Sequence, residues 1–282
     1  GEQGMVAISK RNENFKGVVG EKSNGIFISN NPIKAGEDMV LDKVIIVESA
    51  IDALSHYQLH HDHLQGEQVR YISNEGDFSE KQVDVISMVL NKQQPKELLF
   101  GQDNDLAGVY EISKLLGHLK LTDKENKGVI GSNIEINTYR SKKECFIEMT
   151  YHYEQFKSSE VFVEKVLSSF SQANALLKGI SSEEQPFKVC FPFKGEEKEV
   201  YNANNTVLIR VDFNSHQYNW ECINKVIMDI KFAESNIEML REKPMSKDFN
   251  DDLKEKMGIT VNIQDKSSSP EASKTKEIGS GI

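Results

Sequence analysis

Two stretches decide the fold: Lys43-Val-Ile-Ile-Val-Glu-Ser-Ala-Ile-Asp52 and Leu98-Leu-Phe-Gly-Gln-Asp-Asn-Asp-Leu-Ala-Gly108. In the first, Lys43–Val47 is a continuous β-branched run, the pattern of a strand buried on both faces. Ser49–Leu59 follows with Ile51, Leu54 and Tyr57 or Gln58 at helical spacing. Working outward, Val69–Ser73 reads as a second strand. Ser79 and Gln82 then form a capping-box pattern ahead of a helix whose apolar face is Val83, Ile86, Val89 and Leu90. Glu97–Phe100 is a third strand. It leads through Asp103-Asn-Asp105 into a helix with Ile112, Leu115, Leu116 and Leu119 on one stripe. Strand and helix alternate three times over short connections. That predicts right-handed βαβ units and an α/β fold with a parallel sheet flanked by helices.

The flanks read differently. Residues 1–40 carry two short apolar stretches, Val18–Val19 and Ile26–Ile28, set off by Gly17, Gly20 and Gly25, and predict two short strands with turns. Residues 120–133 are polar and Lys-rich and predict a loop, followed by a strand at Ile134–Tyr139. Residues 141–235 predict an α+β segment of their own. Its strands fall at Cys145–Tyr153, Phe187–Phe193 and Thr206–Phe213, with a turn at Asn202–Asn205. Its helices fall at Glu160–Leu177 and around Trp220–Ile230. Residues 236–257 return to a strand-like Ile237–Leu240 and a short helical end. The expected division is therefore a strand pair in 1–40, an α/β core in 41–140 completed by 236–257, an inserted α+β segment in 141–235, and a tail in 258–282. The Ser, Lys, Glu and Pro content of that tail predicts disorder.

The 282 residues include 34 Lys+Arg against 44 Asp+Glu, a net charge of -10, and 38% are hydrophobic. A chain of this length buries a real core. No run approaches the roughly 20 apolar residues of a membrane span. Cys145, Cys190 and Cys222 are far apart and odd in number, which supports neither a disulfide framework nor a C-x-x-C zinc site. A reducing, cytoplasmic setting is the expectation. Gly1 in place of Met reads as a processed or trimmed piece of something longer. The acidic balance argues against a chain coated in nucleic acid, while leaving room for a local basic groove.

The acids fall in an informative place. Glu48 directly follows the first buried strand, and Asp103 and Asp105 closely follow the third. Ligands of open parallel sheets bind outside the carboxyl ends of the strands. Three acids converging there would raise one another's pKa unless a cation intervened. Mg²⁺ takes oxygen ligands and is held by one or two carboxylates plus phosphates and water. The plainer reading is that Asp105 caps the helix beginning at Leu106, that Glu48 caps the preceding one, and that Asp52 is an exposed helix acid. A calcium loop is dismissed, because Ala107 and Lys114 stand where that pattern needs ligands.

Val44-Ile-Ile-Val-Glu-Ser-Ala-Ile-Asp52 with Leu99-Phe-Gly-Gln-Asp-Asn-Asp-Leu-Ala-Gly108 resembles the Toprim domain, shared by bacterial primases, topoisomerases and certain nucleases. Glu48 and Asp52 fall on its first motif, and Asp103, Asp105 and Gly108 on its D-x-D motif. Pro244-Met-Ser-Lys-Asp-Phe-Asn-Asp-Asp-Leu253 resembles the closing K-D-x-N-x-x-L signature of Toprim variants carried by plasmids and other mobile elements. Lys16–Gly20 and Gly25–Ser29 resemble the strand pair that precedes Toprim there. The resemblance spans about residues 15–120 and 236–257 and says nothing of 141–235. It departs from the primase pattern at Ser49, where primases place Gly.

What the resemblance implies is Mg²⁺-dependent phosphoryl or nucleotidyl transfer on nucleic acid, with Mn²⁺ as the substitute ion. Glu48 would be the catalytic acid or base, and Asp103, Asp105, Asp52 and Asp248 the metal acids. Lys247 and Lys114 would be phosphate contacts. Asn250 and Asp251 equally suit a helix cap. The implied partners are single-stranded DNA, RNA or NTPs, with a relaxase or helicase as protein partner and no membrane. A primase-like enzyme, a Toprim nuclease and a non-catalytic DNA-binding module of a larger mobilisation protein remain the competing readings. A topoisomerase would need more chain.

His56, His60, His61 and His63 crowd one helix end, and His56 and His60 at i, i+4 could seat a transition metal. No Cys or Asp partner is visible nearby, so a polar helix end is the expectation. Lys114, Lys120, Lys124 and Lys127 read first as a solvated face. Trp220, Tyr151 and Tyr153 read as core of the inserted segment.

Overall fold

The computed structural model describes residues 7–12, 15–29, 41–122, 128–140, 145–152, 159–176, 187–190, 206–213 and 217–259. In chain order these form β1 (Ala7–Asn12), β2 (Phe15–Gly20), β3 (Phe27–Ile28), β4 (Lys43–Val47), α1 (Ala50–His60), β5 (Val69–Ser73), α2 (Glu80–Gln93), β6 (Glu97–Gly101) and α3 (Leu106–His118). Next come β7 (Leu121–Thr122), β8 (Val129–Ile130), β9 (Ile134–Arg140), β10 (Cys145–His152), α4 (Ser159–Leu176), β11 (Phe187–Cys190), β12 (Thr206–Phe213), α5 (Gln217–Lys231), β13 (Glu238–Arg241) and α6 (Phe249–Lys256).

The central sheet runs β13-β6-β4-β5-β3, with the first four strands parallel and β3 antiparallel at the edge. Successive side chains of a strand face opposite ways. Val44 and Ile46 of β4 therefore enter one core with Val83, Ile86 and Leu90 of α2 and Val109, Ile112 and Leu115 of α3. Ile45 and Val47 enter another with Ala53 of α1 and Phe249 of α6. That two-sided burial is why the Lys43–Val47 run reads as unbroken. The path goes from β4 to β5 on one side and returns to β6 on the other. The strand order thus reverses between β4 and β6, the place where such sheets bind ligands.

The second sheet, β11-β12-β10-β9, is antiparallel throughout. It joins β9, from before residue 141, to β10, β11 and β12 from residues 141–235, and its core is continuous with that of α3. Ile136, Ile147, Met149, Tyr151, Phe170, Trp220 and Ile227 join the same cluster as Leu116 and Leu119. Buried polar groups pin the seam. Ser113 Oγ donates to Asn224 Oδ1, and Asn224 Nδ2 donates to the Val109 carbonyl at 3.0 Å. Lys231, at the end of α5, donates to the Leu116 carbonyl at 3.1 Å and to that of Gly117, covering the end of α3. Burial pushes its ammonium down to about 8.

Several expectations change. The stretches after Phe15 and Gly25 do not pair with each other: β2 pairs with β1, and β3 extends the central sheet beside β5. The polar 120–133 stretch contains a small β7–β8 pairing, because Leu121 and Ile130 at its two ends are core residues that composition averaged away. Helix α5 begins at Gln217, ahead of Trp220. Lys124, Lys127, Tyr153, the Asn202–Asn205 turn and the 260–282 tail lie outside the described residues. Among the described residues, no helix is long and apolar enough to cross a membrane.

Candidate metal and phosphate site

Parallel pairing sets Val47 beside Gly101, so Glu48 and Gln102-Asp103 leave neighbouring strands side by side. Such strands lie about 4.8 Å apart. The Glu48 carbonyl is held by Ser73 Oγ (2.9 Å) and the Gly76 N–H (3.2 Å). The cap of α1 is Ser49, not Glu48: Ser49 Oγ accepts from the Asp52 N–H, and the Asp52 carboxylate accepts from the Ser49 N–H (3.1 Å) and Oγ (2.6 Å). The Ala50 N–H is covered by Glu75 Oε1 at 2.9 Å. With the helix end satisfied by others, the Glu48 carboxylate takes no hydrogen bond among the described residues.

Asp52 is not an exposed helix acid. It is buried, and burial first, then Asp248 and Glu48, raise its carboxyl to about 6, against the pull of the Ser49 hydrogen bonds. Asp103 is 8% exposed. Burial, then Glu48 and Asp52, lift it to about 7, with Lys247 pulling the other way. These are the marks of acids that are desolvated and crowded together, with Lys247 compensating Asp103 only in part.

Lys247 supplies the one described ammonium in the cluster, 3.4 Å from Asp103 Oδ2 and 3.9 Å from Asp105 Oδ2. Burial works against its charge, but Asp103, Asp105 and Glu48 outweigh that and raise its pKa. Its side chain is 60% exposed and so is open to a phosphate. Asp105 caps α3, accepting from the Gly108 N–H at 3.0 Å. Asp248 likewise caps α6, accepting from the Asp251 N–H at 2.7 Å, so neither Asn250 nor Asp251 is the cap. Asp251 instead pairs with Lys254 at 2.8 Å. Lys114 is tied to Glu111 and the Phe78 carbonyl, both at 3.4 Å, and has no described ion pair with these acids. Lys120 pairs with Asp84.

Sequence reasoning missed what holds the Asp103 loop. Arg241, at the end of β13, donates to the carbonyls of Phe100 (2.7 Å), Gln102 (2.8 Å) and Asp103 (3.1 Å). Its guanidinium is desolvated enough to fall to about 10. The Asn104 N–H donates to the Lys247 carbonyl at 2.7 Å, and the Asn104 carboxamide links Pro244 to Gln217. Gly108 is required sterically: a Cβ there would lie 2.3 Å from the Asp103 carbonyl oxygen.

The donor set suits a hard cation. All donors are oxygen, two of the acids are buried and protonation-prone, and Lys247 is shared between Asp103 and Asp105. Among the described residues these acids do not gather three ligand atoms within 4.8 Å. The arrangement therefore fits an ion held by one or two carboxylates with water and phosphate making up the shell.

Residues 45–138 match the family model described as Toprim-like. The match includes both acidic motifs and stops before Lys247-Asp248. Neither curated proteins nor solved structures give a significant match. Residues 45–138 thus form a Toprim-like domain on a mostly parallel sheet flanked by helices, a class associated with metal-dependent activity on nucleic acids. Toprim domains bind Mg²⁺ through acidic residues.

Proposed function

We propose that the chain carries out Mg²⁺-dependent nucleotidyl transfer on a nucleic-acid strand, primase-like, in the replication or transfer of a plasmid or other mobile element. The observation that carries the proposal is the pairing of an unengaged Glu48 with a buried Asp103 at the strand-order reversal, its carboxyl raised to about 7. Bound Mg²⁺ would offset the negative charge of the reacting phosphate and of these acids. Asp103 and Asp105 are its proposed ligands, with Asp52 and Asp248 behind them. Mn²⁺ is the expected substitute.

The chain's own groups have separable tasks. Glu48 faces the site without a structural duty and is the group to take a proton from a 3′-hydroxyl or give one to a leaving oxygen. Lys247 holds a substrate phosphate by charge. Arg241 and Asn104 fix the backbone that presents Asp103. Lys114 would have to leave Glu111 and the Phe78 carbonyl to reach a phosphate, which makes it a weaker proposed contact than Lys247. The expected substrates are single-stranded DNA or RNA with NTPs. A relaxase or helicase is the proposed protein partner.

The test is incubation with primed and unprimed single-stranded DNA, NTPs and Mg²⁺ or Mn²⁺. New or extended oligonucleotides support nucleotidyl transfer. Shortened strands would transfer the same site to a nuclease. Retained DNA binding without product would make it a non-catalytic module. Glu48→Gln should lower activity at least about 100-fold with the fold retained and the metal-free melting temperature no lower than that of the wild type. Undiminished turnover would remove Glu48 from the chemistry.

A further inference from the structure

The histidines of α1 are not a polar helix end. His56 is 1% exposed, and one turn on, His60 stacks over it with ring centroids 4.4 Å apart. Both follow Asp52 at four-residue steps and so share its face of the helix. Strand β13 brings a partner that lies 186 positions from His56 in sequence. Glu242 Oε2 is 3.1 Å from His56 Nε2, and Glu242 Oε1 is 3.7 Å from His60 Nε2. Among the described residues, this is the group whose three ligand atoms all lie within 4.8 Å of one another.

The buried nitrogen is unsatisfied. His56 Nδ1 lies 2.9 Å from Tyr71 Oη, whereas His56 Nε2 meets only the Glu242 carboxylate, 3.1 Å away and poorly aligned for a hydrogen bond. The carboxylate is near enough but off the ring's N–H axis. If Nδ1 carries the proton and donates to Tyr71, the Nε2 lone pair faces a carboxylate, which is repulsive unless a cation lies between them. If Nε2 carries it, alone or in an imidazolium, the N–H meets the carboxylate at 3.1 Å but in poor alignment. A metal removes the difficulty, and a second ring nitrogen fixed by a hydrogen bond is the usual support of a metal-binding imidazole. The spacing agrees. Ligands at about 2.0–2.1 Å around a tetrahedral ion stand about 3.3 Å apart, between the two observed separations.

We infer that His56, His60 and Glu242 form a site for a divalent transition ion of the Zn²⁺ class, with water completing the shell. Two imidazoles and one carboxylate select such an ion over Mg²⁺. Phe249 closes one side, its ring edge-on to His56 at 4.7 Å. The ion joins α1 to the β13 end and is distinct from the carboxylates at Asp103. Because Asp52 precedes His56 on α1 and Lys247-Asp248 follows Glu242, occupancy fastens together the two segments that frame the proposed reaction site.

The test uses the full chain, stripped with chelator and dialysed, titrated with Zn²⁺, Co²⁺ and Mg²⁺ by calorimetry. The Co²⁺ absorption spectrum and the melting temperature are read alongside. The inference expects one Zn²⁺ per chain, Co²⁺ bands typical of low coordination, and a higher melting temperature. His60→Gln and Glu242→Gln should each weaken Zn²⁺ by about 100-fold or more, and Tyr71→Phe by about tenfold. Asp103→Asn and the double change His61→Ala with His63→Ala should leave it intact. Melting and far-UV circular dichroism in chelator establish that each variant folds. Tyr71→Phe, which removes one hydroxyl, decides the case if the ligand variants do not. Zn²⁺ bound no more tightly than Mg²⁺ would overturn the site, as would binding unmoved by His60→Gln, Glu242→Gln and Tyr71→Phe. Loss of Zn²⁺ on Asp103→Asn would relocate the ion to the carboxylates. None of these readouts requires turnover, so the site can fail while the proposed reaction stands.

Discussion

Replacing Asp103 by Asn should make the metal-free protein more stable, by an amount that depends on pH. The carboxyl is raised from an ordinary 3.8 to about 7, by burial first and then by Glu48 and Asp52. A rise of about 3 at about 1.4 kcal/mol each gives a ceiling of about 4 kcal/mol for holding the ionised form in the fold. Asp103 is buried, so solvent screening removes little of this. Losing the contact with the largely exposed Lys247 offsets less than about 1 kcal/mol. A net gain of about 2–3 kcal/mol at pH 8 is expected, or roughly 5–10 °C in melting temperature. The folded chain keeps this proton up to about pH 7, the unfolded chain only to about 4. The folded state is therefore favoured by acid in that window, and the wild-type penalty grows as pH rises through it and then levels. The Asn variant gains correspondingly, and at pH 5 its advantage should be less than half that at pH 8. Denaturant and thermal melts of both proteins in chelator, from pH 5 to 8, measure this. Added Mg²⁺ should then stabilise the wild type and leave the variant unmoved. An Asn variant that is neutral or less stable at pH 8, or a gain flat across the range, would refute the crowded-anion account of the site.

Gly108→Ala should destabilise toward the upper end of about 1–3 kcal/mol, because the new methyl would sit 2.3 Å from the Asp103 carbonyl oxygen; equilibrium unfolding reads this. Lys247→Ala should weaken binding of single-stranded DNA uniformly across sequences and lower the salt slope of log K by about 1, measured by fluorescence anisotropy at several salt concentrations. Arg241→Gln should lose at least about 1–3 kcal/mol, because buried carbonyls of Phe100, Gln102 and Asp103 lose their donors, and it should lower activity through the displaced Asp103.

The central α/β unit was legible because its signals are local. Lys43–Val47 announces burial on both faces by its own composition, and the capping box at Ser79–Gln82 lies within four residues. The Glu48 and Asp103 positions follow from strand ends alone. What escaped depends on contacts between distant segments. Glu242 completes the histidine group and Arg241 holds the Asp103 loop, yet both arrive at the end of a strand that pairs with β6 only after residues 141–235 have been traversed. No window of sequence around His56 contains its partner, so the cluster reads as a polar helix end. The β7–β8 pair escaped for the opposite reason. Two core residues flank a polar stretch, and composition averaged over fourteen positions conceals them. Two caps were readable by position, Ser79 and Asp105, whereas those at Ser49 and Asp248 were not, since Glu48, Asn250 and Asp251 equally suit an N-terminal turn.

That dependence on the late segment bears on how the site works. The D-x-D segment and the strand end before it are held by three ties from residues 241–249: the Arg241 guanidinium on the Phe100, Gln102 and Asp103 carbonyls, the hydrogen bond from the Asn104 N–H to the Lys247 carbonyl, and the Phe249 ring against Gly101, whose added Cβ would lie 3.0 Å from it. The same stretch supplies Lys247, Asp248 and Glu242. Residues 45–138 by themselves would therefore contain both acidic motifs but neither the cation nor the backbone donors that order the second. In the folded chain β13 sits directly beside β6, and α5 lies against α3, where Asn224 and Lys231 fasten it. The residues between β9 and β13 lengthen the chain between the two motifs and residues 241–249 without moving the strand end that precedes Asp103, because what sets that end is pairing in the sheet and not distance along the sequence.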